Sequence, residues 1–358
     1  MRAYTPGASP QPAAGETRAA LRVLHLTGSA VSDEFVDLSL LYARDCLAAT
    51  ADPARWEPHL AHVTPDGCWR FPWSLEPEVV AASTPVTVGD AIRMITELAP
   101  DVMVPQMFCP PGMTGHRALF DVLGVPYVGN RPDATALSVD KPKARAVVAA
   151  SGVDVPRGEV VRPGGRPTLA PPVVVKPVDA DNSSGVTLVR STQDYDDALT
   201  EAFRHSSAAL VEEYVELGRE VRCGVLERDG ALVGLPLEEY AMDRTSKPVR
   251  GYDDKLARSE DGDLRLMAKD GERAWIVDPS DPATRPVQDA ARACYAALGC
   301  RHYGLFDFRI DPSGRPFFLE ASLYCSFATT SVVATMARAA GIELPELFAT
   351  SVEAALRS

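Results

Sequence analysis

The segment that most constrains the fold is YGLFDFRIDPSGRPFFLEAS, at residues 303–322. Two apolar runs flank the turn signal DPSG, so the segment predicts two neighbouring strands joined by a turn. Each strand carries one acid, Asp307 on the first and Glu320 on the second. Buried carboxylates without a partner are costly, so the pattern predicts that both acids face one site and hold a cation there. Edge-exposed acids or a buried ion pair are the structural alternative.

Strand and helix patterns alternate along the rest of the chain, in the order of an α/β protein. Residues 21–27 (LRVLHLT) predict a buried strand, and a helix is predicted from about Asp33 to Ala49. Asp140 is the predicted N-cap of a helix over 140–152. Further helices are predicted within 88–100, 114–124, 191–205, 330–341 and 343–357. Further strands are predicted within 101–107, 126–129, 171–178, 186–190, 208–215, 219–226 and 231–239.

These elements predict an α/β (α+β) chain of several domains. A disordered tail is expected at residues 1–20, an N-terminal α/β substrate domain at 21–130, a small middle domain at 131–212 and a C-terminal domain at 213–358. A chain of 358 residues, 46% of them hydrophobic, is large enough for two or three such units. A polar stretch, 241–274, is long enough to be functional or mobile in its own right.

Composition excludes several classes of protein. A formal net charge of -13 argues against a nucleic-acid partner, which would need a basic stripe. No run reaches the ~18 apolar residues that a membrane span requires, and the start of the chain lacks the apolar region of a signal peptide. The seven cysteines show no C-x-x-C pair and no spacing typical of zinc. We therefore expect a cytoplasmic protein without nucleic-acid or membrane partners.

Two lysines suggest anion binding. Lys176 ends an apolar strand, and residues 181–185 (DNSSG) supply backbone N–H groups and hydroxyls that can wrap phosphate oxygens. Lys141 stands at a predicted helix start. Taken alone, a snorkelling Lys176, a solvated Lys141 and an ordinary turn explain these features equally well. Neither Walker A spacing nor G-x-G-x-x-G occurs, which excludes P-loop and Rossmann sites.

The order of these pieces resembles the D-alanine–D-alanine ligase branch of the ATP-grasp superfamily. The similarity runs from about residue 21 to 357 and rests on several short motifs in a fixed order. The resemblance implies a three-domain ATP-grasp fold, with the nucleotide clamped between the middle and C-terminal domains. The matching segments are Val139-Asp140-Lys141, Val175-Lys176-Pro177, Ser183-Ser184-Gly185, LVEEYV at 210–215, Gly218-Arg219-Glu220, Asp307 and an E-x-N-like motif at 320–322.

The resemblance also implies a role for each matching residue. Lysines at these two positions contact the α- and β-phosphates of ATP, the serine lid covers them, the hinge meets adenine and a glutamate accepts from the ribose hydroxyls. The implied nucleotide-binding residues are Lys141, Lys176, Ser183, Ser184, Glu212, Glu213, Tyr214, Val215 and Glu220. The implied ligands for one or two Mg²⁺ ions are Asp307, Glu320 and Ser322.

Departures from the family pattern concern catalysis. Leu305 stands where the family has an arginine that stabilises the tetrahedral oxyanion. Because strand side chains alternate, Arg309 shares a face with Leu305 and Asp307 and is the predicted substitute cation. A salt bridge to a nearby acid is the simpler alternative. Lys255, in a YDDK sequence similar to the family's γ-phosphate loop, and Ser183 are the other catalytic candidates.

Other departures concern the metal and the substrates. Ser322 replaces an asparagine, and a single hydroxyl is a poorer ligand than an amide oxygen, which puts a second ion in doubt. The substrate segments at 110–114 and 324–327 also differ from the family. Synthesis of the D-alanine dipeptide is therefore not the first expectation.

The resemblance implies an ATP-dependent, ADP-forming ligase that joins small, amino-acid-like carboxylate and amine substrates through an acylphosphate. The expected cofactors are ATP and Mg²⁺, and the expected assembly is a homodimer. Two alternatives remain. The enzyme catalyses a cyclisation or ligation to a non-amine acceptor, or the chain is a nucleotide-binding regulator that has lost catalysis.

Overall fold

The computed structural model describes residues 20–180, 184–246, 248–249 and 273–358, and the backbone of 256–258 and 264–266. The strands are β1 (Leu21–Gly28), β2 (Trp56–Val63), β3 (Trp69–Arg70), β4 (Val102–Pro105), β5 (Gly158–Val161), β6 (Val173–Pro177), β7 (Thr187–Val189), β8 (Ala209–Glu213), β9 (Arg219–Arg228), β10 (Ala231–Gly234), β11 (Glu238–Tyr240), β12 (Leu256–Arg258), β13 (Leu264–Leu266), β14 (Ala274–Ile276), β15 (Tyr303–Ile310) and β16 (Pro316–Ser322). The helices are α1 (Asp33–Ala49), α2 (Pro77–Ala82), α3 (Val88–Leu98), α4 (Pro110–Met113), α5 (Gly115–Leu123), α6 (Pro132–Val139), α7 (Lys141–Ala150), α8 (Tyr195–His205), α9 (Thr284–Ala297), α10 (Val332–Ala339) and α11 (Leu344–Arg357).

The first sheet has the strand order β3-β2-β1-β4 and is parallel around β1. Its central strand is buried because LRVLHLTG is apolar on both faces, as expected for a parallel strand. Helix α1 follows it, and the Ser32 side chain caps the helix by accepting from the Phe35 N–H. The predicted strand at 21–27 and the helix from Asp33 to Ala49 are confirmed.

A small antiparallel sheet, β5-β8-β6-β7, carries two of the predicted site residues. Valines on one face pack against helix α8, with Val173, Val175 and Val211 in one apolar cluster. Lys176 and Glu212 lie on neighbouring strands, on the opposite face, because side chains alternate along a strand. We call this unit the small sheet.

The larger antiparallel sheet has the order β14-β11-β9-β15-β16, with β10 also paired to β9. On one face, Val221, Cys223, Phe306 and Phe308 form a core with helix α9. Glutamate, aspartate and arginine side chains alternate with them and therefore occupy the other face. We call this unit the large sheet.

Helices α6 and α7 pack against the large sheet. Ala134, Ala144 and Val148 belong to the same apolar cluster as Phe308. Asp140 caps α7 by accepting from the Lys143 N–H, which confirms the predicted N-cap. This packing places Lys141, the first residue of α7, beside the space between the two sheets.

Some predicted elements differ in the structure. The predicted strand at 126–129 forms only an isolated bridge between Met103 and Tyr127. The predicted strand at 231–239 is divided into β10 and β11, because Pro236 has no N–H to donate to a ladder. In the described part of the chain, no helix is both long and apolar enough to cross a membrane. The expected tail lies outside the described residues except for Ala20.

Candidate active site

A cleft of about 790 Å³, including its open mouth, separates the small sheet from the large sheet. Lys176 from the small sheet and Asp307 from the large sheet line it together. Its lining residues are Lys141, Pro156, Val174, Lys176, Pro177, Ala180, Ser184, Val186, Glu212, Glu213, Val215, Glu220, Val249, Asp307, Arg309, Leu319 and Glu320.

Glu212 is the centre of a buried ionic cluster on the small-sheet wall. Its Oε2 lies 2.6 Å from Lys176 Nζ. Its Oε1 lies 2.7 Å from Arg145 Nε, in ionic contact but without the alignment of a hydrogen bond. All three side chains are less than 10% exposed. Two cations around one carboxylate leave a net positive charge. This side of the cleft therefore suits the binding of a polyanion.

Lys141 adds a third cation to this wall. Its ammonium group donates to the Ala180 carbonyl, and its own N–H donates to the Val178 carbonyl at 3.0 Å. These contacts hold the start of α7 against the loop that follows β6. Ser184, from the predicted lid, also lines the cleft. The predicted lid residue Ser183 lies outside the described residues.

The segment after β8 forms one end of the cleft. The Glu213 and Tyr214 N–H groups donate to the Arg157 and Pro172 carbonyls, which fixes the backbone course here. Glu213 and Val215 line the cleft, whereas Tyr214 does not. Glu213 also forms an ion pair with Arg157 at the surface.

Arg309 connects the large sheet to this end of the cleft. It donates to the Glu220 carboxylate through both Nε and an Nη group, and both side chains are buried. Another Nη donates weakly to the Val215 carbonyl at 3.4 Å, and the guanidinium carbon lies 5.4 Å from the Tyr214 ring centroid. These contacts place Arg309 at the predicted adenine and ribose end, and the predicted catalytic role stays a prediction.

Asp307 lies between two charged neighbours on adjacent strands. Arg222 of β9 is opposite it on one side and donates from Nε to its carboxylate. Glu320 of β16 is opposite it on the other side. The two acids therefore share one face, as the hairpin pattern predicts.

The two carboxylates suit a magnesium ion that also takes phosphate oxygens and water as ligands. In the parts of the chain that the structure describes, no group of three or more histidine, cysteine or acidic side chains could hold a metal by itself. Asp307 and Glu320 therefore fit an ion that arrives with a nucleotide. Ser322 lies two residue pairs further along the strands, opposite Leu305, and is not part of the cleft lining.

Leu305 marks the end of the charged face. Its side chain is 6% exposed and belongs to an apolar cluster with Tyr303, Cys325 and Phe327. Opposite it on β9 is Gly224. An arginine at this position would bring a charge to the edge of the core.

Beyond this point, residues that precede the predicted substrate segment 110–114 contact the predicted segment 324–327. The Phe108 ring contacts those of Tyr42 and Tyr324, with centroids 5.2 and 5.6 Å away. Gln106, at the end of β4, donates to the Ser326 carbonyl at 3.0 Å. An aromatic cluster therefore lies where the N-terminal part of the chain meets the segment that follows Glu320.

The structure brings most of the predicted site residues to one cleft. Two exceptions are Tyr214, which lies between the lining residues Glu213 and Val215, and Ser322, which lies two residues after Glu320. The other two, Ser183 and Lys255, lie outside the described residues. The sequence analysis did not identify two further functional candidates, Arg145 and Arg222. Both had a local signal: Arg145 is four residues after Lys141 on one helix face, and Arg222 is two residues after Glu220 on one strand face.

Comparisons with known proteins agree with this geometry. Residues 165–353 match the family model described as D-ala D-ala ligase C-terminus. A D-alanine–D-alanine ligase of Mycobacterium avium is 30% identical, with 88% of this chain and 93% of the relative covered.

Solved structures share the fold. The VanG D-Ala:D-Ser ligase of Enterococcus faecalis superposes with a TM-score of 0.72 at 22% identity, covering 94% of this chain and 99% of that one. A D-alanine–D-alanine ligase of Bacillus anthracis complexed with ATP gives 0.69 at 19% identity, covering 94% and 98%.

Proposed function

Because the chain belongs to the D-alanine–D-alanine ligase family of ATP-grasp enzymes, we propose that it joins a small amino-acid-like carboxylate to an amine through an acylphosphate. Family membership makes it an ATP-dependent, ADP-forming ligase that forms C–N bonds. The division into domains at 21–130, 131–212 and 213–358 and the homodimer are part of this proposal.

The observation that carries the proposal is the distribution of charge across the cleft. Lys141 and Lys176 line one side, and Asp307 and Glu320 line the other. A triphosphate between them would be neutralised by ammonium groups on one side and by a carboxylate-held divalent ion on the other. Mg²⁺ at this position would offset charge on the phosphoryl oxygens.

The proposed reaction has two steps, phosphoryl transfer to the substrate carboxylate and attack by the amine. The substrate carboxylate attacks the γ-phosphorus of ATP, the bond to the β,γ-bridging oxygen breaks, and ADP leaves. Lys141 and Lys176 supply positive charge that stabilises the negative charge on the phosphates. The acceptor amine then attacks the acyl carbon, phosphate leaves and the amine loses a proton.

Arg309 acts in this proposal on nucleotide binding. It holds Glu220, the predicted ribose acceptor, and it contacts the Tyr214 ring and the Val215 carbonyl. A buried carboxylate needs such a partner to keep a fixed position. We therefore assign Arg309 as a positioning residue for the base and ribose end of the cleft.

We propose that the substrates of this chain are not two molecules of D-alanine. Leu305 is packed into the core where the family supplies an arginine. The Tyr42, Phe108 and Tyr324 rings form a cluster next to the predicted substrate segments, and Phe108 is buried in it. Aromatic side chains near a substrate favour an apolar substrate group over a second small polar one.

The experiment that tests this function is ADP release across a panel of carboxylates and amines. D-Alanine and D-serine, the substrates named by the relatives, belong in the panel as references, together with D- and L-amino acids that carry apolar side chains. We expect ADP release to require a carboxylate, and we expect an apolar amino acid to exceed D-alanine. Equal or greater turnover with D-alanine alone would contradict the substrate assignment.

A second candidate function is ligation to a non-amine acceptor or cyclisation. Leu305 favours it, because the missing arginine affects only the second half-reaction, in which the acceptor attacks the acylphosphate. Hydroxylamine traps an acylphosphate as a hydroxamate. Trapping without any amide product across the amine panel would favour this function. Nucleotide binding without ADP release for any carboxylate would instead indicate a regulator.

A further inference from the structure

Arg222 is a buried cation beside the predicted metal ligands. It lies on β9, opposite Asp307, and the two side chains are 12% and 8% exposed. Its guanidinium carbon is 5.4 Å from the Tyr240 ring centroid, and Glu238 is its partner in register on β11. Arg222 is therefore a buried cation with Asp307 as its ion-pair partner.

This cation changes what the site can offer to metal ions. Asp307 and Glu320 are paired across β15 and β16, and the Arg222 guanidinium donates to the Asp307 carboxylate, which leaves that carboxylate fewer lone pairs for metal ions. The next pair on the same face of the two strands is Ser322 and Leu305, which provides one hydroxyl and an apolar group. A pair of divalent ions needs more oxygen ligands than this arrangement supplies.

We propose that the Arg222 guanidinium takes the place of a second magnesium ion, so that the cleft holds one divalent ion with each nucleotide. The inference rests on the nucleotide-binding function proposed above. Asp307 and Glu320 would hold the single ion, and Arg222 would supply the second positive centre beside it. Arginine suits this role because its N–H fork can contact a carboxylate and a phosphoryl oxygen at the same time.

The test is the number of Mn²⁺ ions bound per chain in the presence of saturating adenosine β,γ-imidotriphosphate. Electron paramagnetic resonance of free Mn²⁺ gives this number without any turnover. We expect one ion for the wild type. We expect two ions for the double variant Arg222→Gln/Ser322→Asn, which removes the cation and restores an amide ligand.

Arg219→Gln is the matched control. Arg219 is also on β9, but it forms its ion pairs with Glu239 and Asp281 rather than with Asp307. We expect one ion for this variant.

Two results would overturn the proposal. One is two ions per chain in the wild type, a measurement that needs no variant to fold. The other is a single ion in the double variant when it still binds the nucleotide analogue. Absence of nucleotide binding by the wild type, measured by calorimetry, is a different result and would reject the proposed function itself.

Discussion

At the scale of single residues, the cleft depends on buried charges that have specific partners. Lys176 and Arg145 share Glu212, Arg309 holds Glu220, and Arg222 contacts Asp307. Removing one member of such a pair leaves an uncompensated charge, so single substitutions here affect stability as well as binding.

Arg309→Lys tests whether Arg309 positions the nucleotide. Lysine keeps the charge but loses the bidentate fork and the ring contact. We expect the Kd for an ATP analogue to rise about tenfold, which corresponds to ~1.4 kcal/mol, with kcat at saturating ATP largely kept. Calorimetry and steady-state kinetics measure the two quantities.

Arg157→Lys is the control for this variant, because its pair with Glu213 is exposed. We expect it to have little effect on either quantity. An unchanged Kd with a much lower kcat in Arg309→Lys would instead support the catalytic role that the sequence predicts.

His302 gives the protein a pH-dependent stability. Burial, followed by the nearby charges of Arg301 and Arg357, lowers the pKa of His302 to about 3, and its Nδ1 accepts from the Gly129 N–H. In the unfolded chain, the His302 imidazole takes up a proton near its ordinary pKa of 6.5. Between pH 6.5 and about 3, the unfolded chain therefore binds more protons than the folded chain. Stability therefore falls as pH falls below about 6.5.

His302→Asn tests this contribution. Asparagine tolerates the positive φ of 64° at this position and can accept the same hydrogen bond, but it does not titrate. We expect the free energy of unfolding of the wild type to lose on the order of 3 kcal/mol relative to the variant between pH 6.5 and pH 4. A constant difference between the two unfolding curves over this range would show that His302 does not contribute.

At the scale of elements, the site is set by the register of β9, β15 and β16. Glu220, Asp307 and Glu320 come together only because these strands pair with Glu220 opposite Arg309 and Asp307 opposite both Arg222 and Glu320. Gly218 helps to fix this register, because its N–H donates to the Ile310 carbonyl at 3.0 Å just before β9 begins.

Gly218→Ala should disturb this junction. A Cβ atom at residue 218 would lie 2.6 Å from the Asp311 carbonyl oxygen and 2.7 Å from that of Ile310. Backbone atoms must shift to accommodate it, so we expect a loss of about 2 kcal/mol in the free energy of unfolding and weaker nucleotide binding.

Gly89→Ala is the matched control, because a Cβ at residue 89 would meet nothing closer than 3.8 Å and the residue lies in helix α3. We expect this variant to be neutral or slightly stabilising. Equal denaturation midpoints for Gly218→Ala and the wild type would contradict the proposed role of the junction.

The elements also show what could be predicted from the sequence. Periodicity and end signals identify β1, α1 and β15 because each depends on local residues. The ion pair between Arg222 and Asp307 joins two strands through residues that are 85 positions apart in the chain. The sequence does not specify the register between these strands. The alternation rule correctly places Arg309 on the face of Asp307, but only the packing shows that Glu220 holds it.

At the scale of the whole molecule, the cleft forms because two antiparallel sheets face each other with their polar sides. Helix α7 packs in the core of the large sheet, and its first residue, Lys141, donates to the loop that follows β6 of the small sheet. The motifs of the family occur in a fixed order along the chain, and the cleft brings residues from Lys141 to Glu320 together.

A crystal structure with a non-hydrolysable ATP analogue and Mg²⁺ tests the central claim most directly. We predict the adenine against residues 212–215, the ribose at Glu220, and the triphosphate between Lys141 and Lys176 on one side and Asp307 and Glu320 on the other. Nucleotide density outside this cleft, or a triphosphate that contacts neither lysine, would contradict the account.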